Sequence, residues 1–313
     1  MSMKISMMGC SNTGKTCYLY GTYQRMLDGI SGFNFNPSDL DKGLELQNFW
    51  YSLLEPEACW PVSSNQSEEY PFDVFFEGEK LGEFTWLDYR GEILYSRQDS
   101  DPQNEVSKFY KWCSNSDSII VAIPADVLKN ACGEEYQSRM AAKRMLDRYK
   151  SILLGLPNRN RMPVVLMITK GDLITTKNEL RSCIAKLKEV FDFLFNQNQE
   201  AVMIVRTQLG RFRGDMRQGG LIEGEFDPQF IHLPILFPLY LDFSRQAEGL
   251  RRAANNEAGQ GWWGKFWNGD DSARLYRDAA ALQKKADALW EEFVGAVDIY
   301  QRGDSILNSS GVK

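Results

Sequence analysis

Short apolar runs alternate with longer amphipathic stretches over the first 245 residues of the chain. The short runs are rich in β-branched and aromatic residues, which predicts strands at residues 3–8, 71–77, 81–87, 118–123, 163–168 and 201–206. Apolar positions at helical spacing predict helices at residues 15–29, 135–154, 176–196 and 230–243. Strands that alternate with helices are typical of a doubly wound α/β domain with a mostly parallel sheet.

The second and third predicted strands are joined by a very short connection. Only Gly78, Glu79 and Lys80 separate them, whereas parallel neighbours need a crossover of about a dozen residues or more. We therefore expect these two strands to be antiparallel. The predicted fold class is α/β, with a doubly wound, mostly parallel sheet that has one antiparallel edge strand.

The predicted α/β domain spans residues 1–245 and contains a helical insertion at about residues 37–56. The chain between the first helix and the second strand is longer than one crossover needs, and residues 40–54 have the spacing of an amphipathic helix.

The C-terminal part follows a different pattern. Residues 246–270 are polar and glycine-rich, which predicts a linker, and its aromatic anchor consists of Trp262, Trp263, Phe266 and Trp267. Residues 271–303 are predicted to form an amphipathic helix, and residues 304–313 a flexible tail. The apolar residues of this helix recur at alternating spacings of four and three, as in a coiled coil, at Leu275, Ala279, Leu282, Ala286, Leu289, Phe293, Ala296 and Tyr300. Such a helix either packs on the main domain or pairs with another chain in an oligomer.

The amino-acid composition and the net charge exclude few classes of protein. The chain is 43% hydrophobic and 25% charged, as in ordinary globular proteins. Its net charge of −6 gives no general attraction to phosphate backbones, so no nucleic acid partner is expected. The six cysteines form no CxxC pair, which argues against a zinc site or a disulfide framework. Neither a signal peptide nor a transmembrane run is recognisable, and we expect a cytoplasmic location.

The strongest local signal follows the first predicted strand. Residues 9–16 read G-C-S-N-T-G-K-T, a G-x-x-x-x-G-K-T phosphate-binding loop between a strand and a helix. Its glycines let backbone amides converge on a phosphate, and the helix adds its positive dipole end. Lys15 should contact the β- and γ-phosphates and act in catalysis, and Thr16 should ligate Mg²⁺. A chance match is the alternative, which the flanking elements disfavour. The predicted contacts to a bound nucleotide in this region are Gly9, Asn12, Thr13, Gly14, Lys15, Thr16 and Cys17.

A D-x-x-G sequence ends the third predicted strand. Asp88 lies at the carboxyl end of this strand, where α/β sheets bind ligands, and Gly91 follows three residues later. We expect Asp88 to hold Mg²⁺ through water and the Gly91 amide to sense a γ-phosphate. An aspartate that only caps the end of the strand is the alternative.

A T-K-x-D sequence follows the buried run at residues 164–168. The Asp172 carboxylate can accept hydrogen bonds from the N1 and N2 donors of guanine, while the stem of Lys170 covers the face of the ring. Thr169, Lys170 and Asp172 are therefore predicted to bind the base. A turn followed by a helix cap is the alternative.

These three motifs, in this order, resemble those of translation-factor-related and Ras-like P-loop GTPases over about residues 3–245. The resemblance implies GTP or GDP and Mg²⁺ as ligands. In these families a threonine of the first switch segment ligates Mg²⁺, and in this chain Ser63 or Ser64 takes that place. The stretch W-P-V-S-S at residues 60–64 is also similar to the W-P-x-x-T segment of bacterial double-GTPase proteins, a family proposed to act in conflict or defence systems.

Glu92 occupies the position at which Ras-like proteins place the glutamine that orients the attacking water. A carboxylate beside a triphosphate is electrostatically unfavourable, so we expect slow intrinsic hydrolysis. The predicted catalytic residues are Lys15, Gly91 and Glu92.

Two other features leave alternatives open. Four arginines, Arg206, Arg211, Arg213 and Arg217, belong either to a solvated loop or to a surface for a phosphate, an acidic partner or a membrane. The single histidine, His232, lies in an apolar stretch and is predicted to be a packed core residue.

Three functions are compatible with the sequence. The first is a GTP-binding molecular switch that hydrolyses GTP slowly and controls an effector or responds to an activating protein. The second is a non-hydrolysing scaffold stabilised by bound nucleotide. The third is a P-loop kinase, which the T-K-x-D sequence disfavours.

Overall fold

The computed structural model describes residues 2–61, 67–88, 91, 103–213, 219–259 and 269–309. It divides into two compact units. The first comprises Met1–Pro234 and Gly295–Lys313, and the second comprises Ile235–Val294.

Strands in the described ranges form one large sheet and a separate hairpin. In chain order they are β1 (Ser2–Met8), β2 (Phe33–Pro37), β3 (Glu68–Phe76), β4 (Glu79–Asp88), β5 (Ser118–Pro124), β6 (Val164–Thr169), β7 (Ala201–Arg206), β8 (Gln208–Arg213), β9 (Glu223–Gln229), β10 (Val297–Gln301) and β11 (Asp304–Asn308). The large sheet has nine strands in the order β11-β10-β7-β6-β5-β1-β4-β3-β2, and β8 pairs with β9.

Parallel pairing in the centre of the sheet confirms the predicted fold class. Strand β1 is parallel to β4 and β5, and β5, β6 and β7 continue the parallel order. Strands β5 and β6 are buried along their whole length, as expected for parallel strands covered on both faces. The architecture is a mixed, mostly parallel α/β sheet with helices.

The edges of the sheet are more extensive than predicted. Strand β3 is antiparallel to β4, as predicted, but β2 pairs outside it and forms the edge. The Phe33 and Phe35 rings of β2 lie 4.6 Å and 4.9 Å from the ring centroids of Phe76 and Phe84. At the opposite edge, β10 and β11 add two more antiparallel strands.

Helices connect and cover the strands. They are α1 (Lys15–Leu27), α2 (Leu40–Leu54), α3 (Gln103–Ser114), α4 (Ala125–Cys132), α5 (Tyr136–Gly155), α6 (Lys177–Val190), α7 (Leu233–Gly259) and α8 (Gly269–Phe293). The predicted helices near residues 15, 40, 135, 176 and 230 are confirmed, although α7 continues through residues predicted to be a linker. Within the described ranges, no helix is both long and apolar enough to cross a lipid bilayer.

The second unit is built from α7 and α8, which contact each other through aromatic side chains. The Tyr240 ring lies 5.4 Å from the Trp290 ring and 5.6 Å from the Phe293 ring, measured between centroids. The Tyr276 hydroxyl donates a hydrogen bond to Asn255 Oδ1 at 2.6 Å. The predicted seam therefore has a partner helix within the same chain.

The predicted C-terminal helix ends earlier than its heptad spacing indicates. Helix α8 stops at Phe293, and Gly295 then takes a left-handed φ of 82°. Tyr300 lies on β10, which is buried beside β7, with Ile299 opposite Met203. The predicted helix over residues 271–303 is corrected, because alternating β-branched residues there favour a strand. The predicted tail is corrected as well, since Asp304–Asn308 forms β11.

Candidate functional site

The phosphate-binding loop connects β1 to α1 with two residues in left-handed backbone conformation. Asn12 has a φ of 64°, and Gly14 has a φ of 84°, which glycine adopts without steric cost. The Thr13 hydroxyl donates to the Cys10 carbonyl at 2.8 Å, and the Cys10 amide donates to the Tyr149 hydroxyl at 2.8 Å. The loop is therefore fixed both by its own side chains and by helix α5.

The Lys15 ammonium group lies inside the loop. Its Nζ donates to the Gly9 carbonyl at 2.7 Å and to the Cys10 carbonyl at 3.0 Å. Burial lowers the pKa of Lys15, while the nearby Asp88 carboxylate acts in the opposite direction. A buried cation beside a ring of backbone amides is suited to bind phosphate oxygens.

Thr16 and Asp88 bring two oxygen ligands together at the carboxyl ends of β1 and β4. The Thr16 hydroxyl donates to Asp88 Oδ2 at 2.9 Å, and Asp88 is only 6% exposed. Hydroxyl and carboxylate oxygens suit Mg²⁺, which usually takes one or two carboxylates and completes its shell with phosphates and water. Among the described residues no group of three or more His, Cys, Asp or Glu side chains converges.

Gly91 lies directly against the phosphate loop. A Cβ atom added to it would overlap the backbone of Cys10 and Ser11. Only glycine therefore permits this close approach. The contact brings the D-x-x-G motif onto the loop between β1 and α1.

The end of β6 is tied to the same loop. The Thr169 hydroxyl donates to the Thr13 carbonyl at 2.8 Å, and both residues are buried. Lys170 follows in a left-handed conformation with a φ of 51°, and the Gly171 amide donates to the Thr207 carbonyl at 2.9 Å. These bonds fix the turn of the T-K-x-D motif between the phosphate loop and β7.

The Asp172 carboxylate lies beside the β8–β9 hairpin. Burial raises its pKa, while the Phe212 amide and the Lys170 ammonium oppose that shift. The Phe212 amide donates to Asp172 Oδ2 at 3.5 Å, a long and weak hydrogen bond. The carboxylate therefore keeps acceptor capacity for a ligand.

Asn12 and Cys17 were also predicted to contact a nucleotide, but within the described part of the chain their side chains make no contact that supports this role. Asn12 is exposed. Cys17 is buried in the first turn of α1, and burial together with Asp88 raises the pKa of its thiol to about 12. Its thiol therefore stays protonated, and its backbone amide at the start of the helix is the group suited to a phosphate.

Three predicted site residues, Ser63, Ser64 and Glu92, lie outside the described residues. The same is true of Arg217 and of the aromatic anchor at residues 262–267. Arg211 and Arg213 are exposed on β8, so the predicted solvated loop is partly a strand.

His232 is buried, as predicted for a core residue.

Sequence reasoning missed two groups that support the site. Tyr149 is fully buried on α5, far from any motif, and only its apolar helical spacing marks it as a core residue. Phe212 belongs to a hairpin whose second strand is polar and contains Pro228. Because proline and glycine are depleted in strands, neither local pattern nor propensity indicated this hairpin.

Comparisons with known proteins give distant structural similarity only. No protein-family model matches the chain, and no curated protein matches it. Similar solved structures include Era in complex with MgGDPNP and nucleotides 1506–1542 of 16S ribosomal RNA, and a variant of Aquifex aeolicus Era bound to GDP and AlF4⁻. Each is 14% identical, with a TM-score of 0.37, and the match covers 66% of this chain. It covers 51% of the Era chain, so this chain spans about half of Era's length.

Proposed function

We propose that this protein binds GTP and GDP with Mg²⁺ and acts as a nucleotide-controlled switch that hydrolyses GTP slowly. The observation that carries the proposal is the convergence of three separate motifs on one loop. Gly91 packs on Cys10 and Ser11, Asp88 accepts from Thr16, and Thr169 donates to the loop carbonyl of Thr13.

Each group has a role that follows from its chemistry. Backbone amides between Gly9 and Thr16 bind the β-phosphate, and the Lys15 ammonium compensates the charge of the β- and γ-phosphates. The Thr16 hydroxyl and the Asp88 carboxylate, directly or through water, hold Mg²⁺. When bound, this ion neutralises charge on the β- and γ-phosphate oxygens. The contact of Gly91 with Cys10 and Ser11 supports a role for its amide as a donor to a γ-phosphate.

Base selectivity is assigned to the T-K-x-D turn. The half-buried Asp172 carboxylate accepts from guanine N1 and N2, an arrangement of donors that adenine does not present. Its surroundings are partly desolvated, as the burial-raised pKa indicates. A mismatched base would leave a buried acceptor without its donors, which costs about 1–3 kcal/mol.

Slow hydrolysis rests on Glu92 and on a serine, Ser63 or Ser64, in place of the switch threonine. A carboxylate near the γ-phosphate is repelled by it, so the attacking water is poorly oriented. The alternative is a scaffold that binds nucleotide and does not hydrolyse it, which the same two substitutions support. A P-loop kinase is less consistent with the guanine-type turn at Asp172.

Single-turnover GTP hydrolysis with saturating Mg²⁺ tests the switch. We expect slow phosphate release by the parent protein and an equal or faster rate for Glu92→Gln, because this change removes the charge and keeps the shape. A loss of about 10²-fold or more in Glu92→Gln would instead identify Glu92 as a working base. No phosphate release from either protein would favour the scaffold. Lys15→Ala serves as the binding-deficient control.

Further assignments are proposals of the same kind. The W-P-V-S-S stretch supports a double-GTPase-type domain of a bacterial conflict system. The described cysteines are free thiols, which supports a cytoplasmic location. We propose a protein effector or activator as the partner, since the net charge of −6 does not favour nucleic acid. Oligomerisation through α8 stays a proposal that solution mass measurements test.

A further inference from the structure

The β8–β9 hairpin contains one half of an aromatic cluster that spans three parts of the chain. The cluster comprises Trp50 from α2, Trp60 from the segment after α2, and Phe212 and Phe226 from the hairpin. The ring centroids of Trp60 and Phe212 are 4.8 Å apart, those of Phe212 and Phe226 4.9 Å, and those of Trp50 and Phe226 5.4 Å. Ring pairs at these distances stabilise each other beyond the effect of their buried area.

Backbone hydrogen bonds join the same segment to the loop end of the hairpin. The Trp60 amide donates to the Gly220 carbonyl at 2.8 Å, and the Gly219 amide donates back to the Trp60 carbonyl at 2.9 Å. The Ile222 amide donates to the Ala58 carbonyl at 2.8 Å. Residues 58–60 therefore pair with residues 219–222, which precede β9, through an antiparallel bridge between Cys59 and Leu221.

Two further contacts, one near each end of the hairpin, reach the T-K-x-D turn and α1. The Phe212 amide faces the Asp172 carboxylate, and Leu209 lies against Gly21 of α1, where an added Cβ would come within 2.6 Å of Leu209 Cδ2. The hairpin thus contacts α1, the T-K-x-D turn and residues 58–60.

Two glycines of the hairpin leave room for the Phe212 ring. A Cβ on Gly210 would lie 2.8 Å from Phe212 Cζ, and a Cβ on Gly224 would lie 2.9 Å from Phe212 Cδ1. Gly224 also has a φ of 152°, which other residues rarely adopt. The ring is therefore seated on the backbone of its own hairpin, and the pairing of Phe212 with Gly224 holds this part of β8 in place.

We propose that the β8–β9 hairpin positions Asp172 for guanine and couples base binding to residues 58–60. The inference rests on the proposed function, and it goes further by assigning Trp60 and Phe212 as positioning residues for base selectivity. The coupling path consists of the Phe212 amide, the aromatic cluster and the paired backbone of residues 58–60. These residues precede the serines that sequence analysis assigns to the first switch, so the base end of the nucleotide acts on the segment that leads to the phosphate end.

Comparison of GDP with IDP isolates the hydrogen bond from the 2-amino group to Asp172, because inosine lacks this donor and keeps the N1 donor. We expect the ratio of the Kd for IDP to the Kd for GDP to fall about 5-fold or more in Trp60→Ala and Phe212→Ala. A displaced Asp172 carboxylate no longer accepts from the 2-amino group, so GDP loses its advantage over IDP. The Kd for IDP should rise by a smaller factor than the Kd for GDP, because IDP loses only the N1 contact. Trp112→Ala, a matched change on α3 away from the hairpin, should leave the ratio unchanged, and Trp60→Phe should restore most of it.

Hydrogen exchange measures the coupling in the opposite direction. Because linkage is reciprocal, GDP should slow exchange of the Trp60, Gly219 and Ile222 amides in the parent protein more than saturating IDP does, by about 5-fold. Two results would overturn the role of the hairpin alone, provided that the parent protein binds GDP tightly. One is an unchanged ratio of the Kd for IDP to the Kd for GDP in Trp60→Ala and Phe212→Ala. The other is equal protection of the three amides from exchange by GDP and by IDP. Failure of the parent protein to bind GDP would overturn the proposed function as well. A parallel rise of both Kd values in the variants would show a merely structural role and also contradict the proposal.

Discussion

The hydrogen bond from the Thr169 hydroxyl to the Thr13 carbonyl connects the end of β6 to the loop between β1 and α1, and its removal has a calculable effect. Thr169→Val keeps the shape of the side chain and deletes the hydroxyl. Thr169 is 5% exposed and Thr13 is 1% exposed, so water does not readily replace the lost donor. A buried acceptor that loses its donor costs about 1–3 kcal/mol. We therefore expect Thr169→Val to destabilise the protein by about 1–3 kcal/mol.

Urea unfolding followed by far-ultraviolet circular dichroism measures this effect. The midpoint should fall while the slope against urea concentration stays constant, because the exposed surface does not change. Thr169→Ser is the matched control, since it keeps the hydroxyl and removes one methyl group, worth about 0.8 kcal/mol. The affinity for GDP should also fall in Thr169→Val and be largely retained in Thr169→Ser, because only the valine releases the loop from β6.

Two results would refute this reasoning. One is a loss of stability in Thr169→Ser as large as that in Thr169→Val, which would mean that the hydroxyl contributes no more to stability than the methyl group does. The other is an unchanged midpoint in Thr169→Val, which would mean that the Thr13 carbonyl finds another donor at no cost.

Three further predictions address other parts of the site. Lys15→Ala should weaken GDP binding by about 100-fold or more while the fold is retained, because charge-assisted phosphate contacts are lost; equal affinity in fluorescence titrations would contradict the phosphate-loop assignment. Tyr149→Phe removes the acceptor of the Cys10 amide and should lower stability in urea by about 1–3 kcal/mol; an unchanged midpoint would show that the loop does not depend on it. The neighbouring threonines and Lys129 lower the pKa of Glu179 from 4.5 to about 2. The pKa is thus lower folded than unfolded, so this stabilisation is present above pH 4.5 and is lost as the pH falls toward 2; Glu179→Gln should flatten that loss in midpoints measured across this range, and an unchanged pH profile would contradict it.

The sequence was sufficient for the centre of the fold because the relevant signals there are local. Strands β5 and β6 are continuous apolar runs, and the phosphate loop joins β1 to α1 within a few residues. The parallel order of the central strands places Asp88 and Thr169 at the same edge as the phosphate loop. This is why residues separated by many positions were predicted to lie together.

The edges of the fold depend on pairing between distant segments and were not predicted. Strand β10 pairs with β7 although about a hundred residues lie between them, and the spacing of Ala296 and Tyr300 fits both a helix seam and a buried strand. Strand β2 is short and alternates phenylalanine with asparagine, so only its contacts with β3 identify it. In each case tertiary pairing outweighs local propensity.

The hairpin was missed for a related reason. Strand β9 is mostly polar and contains Gly224 and Pro228, which are unfavourable in most strands. Its role becomes visible only when Phe212, Trp60 and Trp50 are brought together from three parts of the chain. The local alternation in β8, with Phe212 between two exposed arginines, was the single signal available.

Displacement of a fluorescent GDP analogue by unlabelled GDP, ADP and XDP, with Mg²⁺ present, tests the central claim most directly. Guanine recognition by Asp172 predicts that GDP competes about 100-fold or more better than ADP in the parent protein. It also predicts that Asp172→Asn loses affinity for GDP and gains affinity for XDP, because the amide donates where the carboxylate accepts. Competition by ADP as effective as that by GDP, or an Asp172→Asn variant with unchanged preference, would contradict the account.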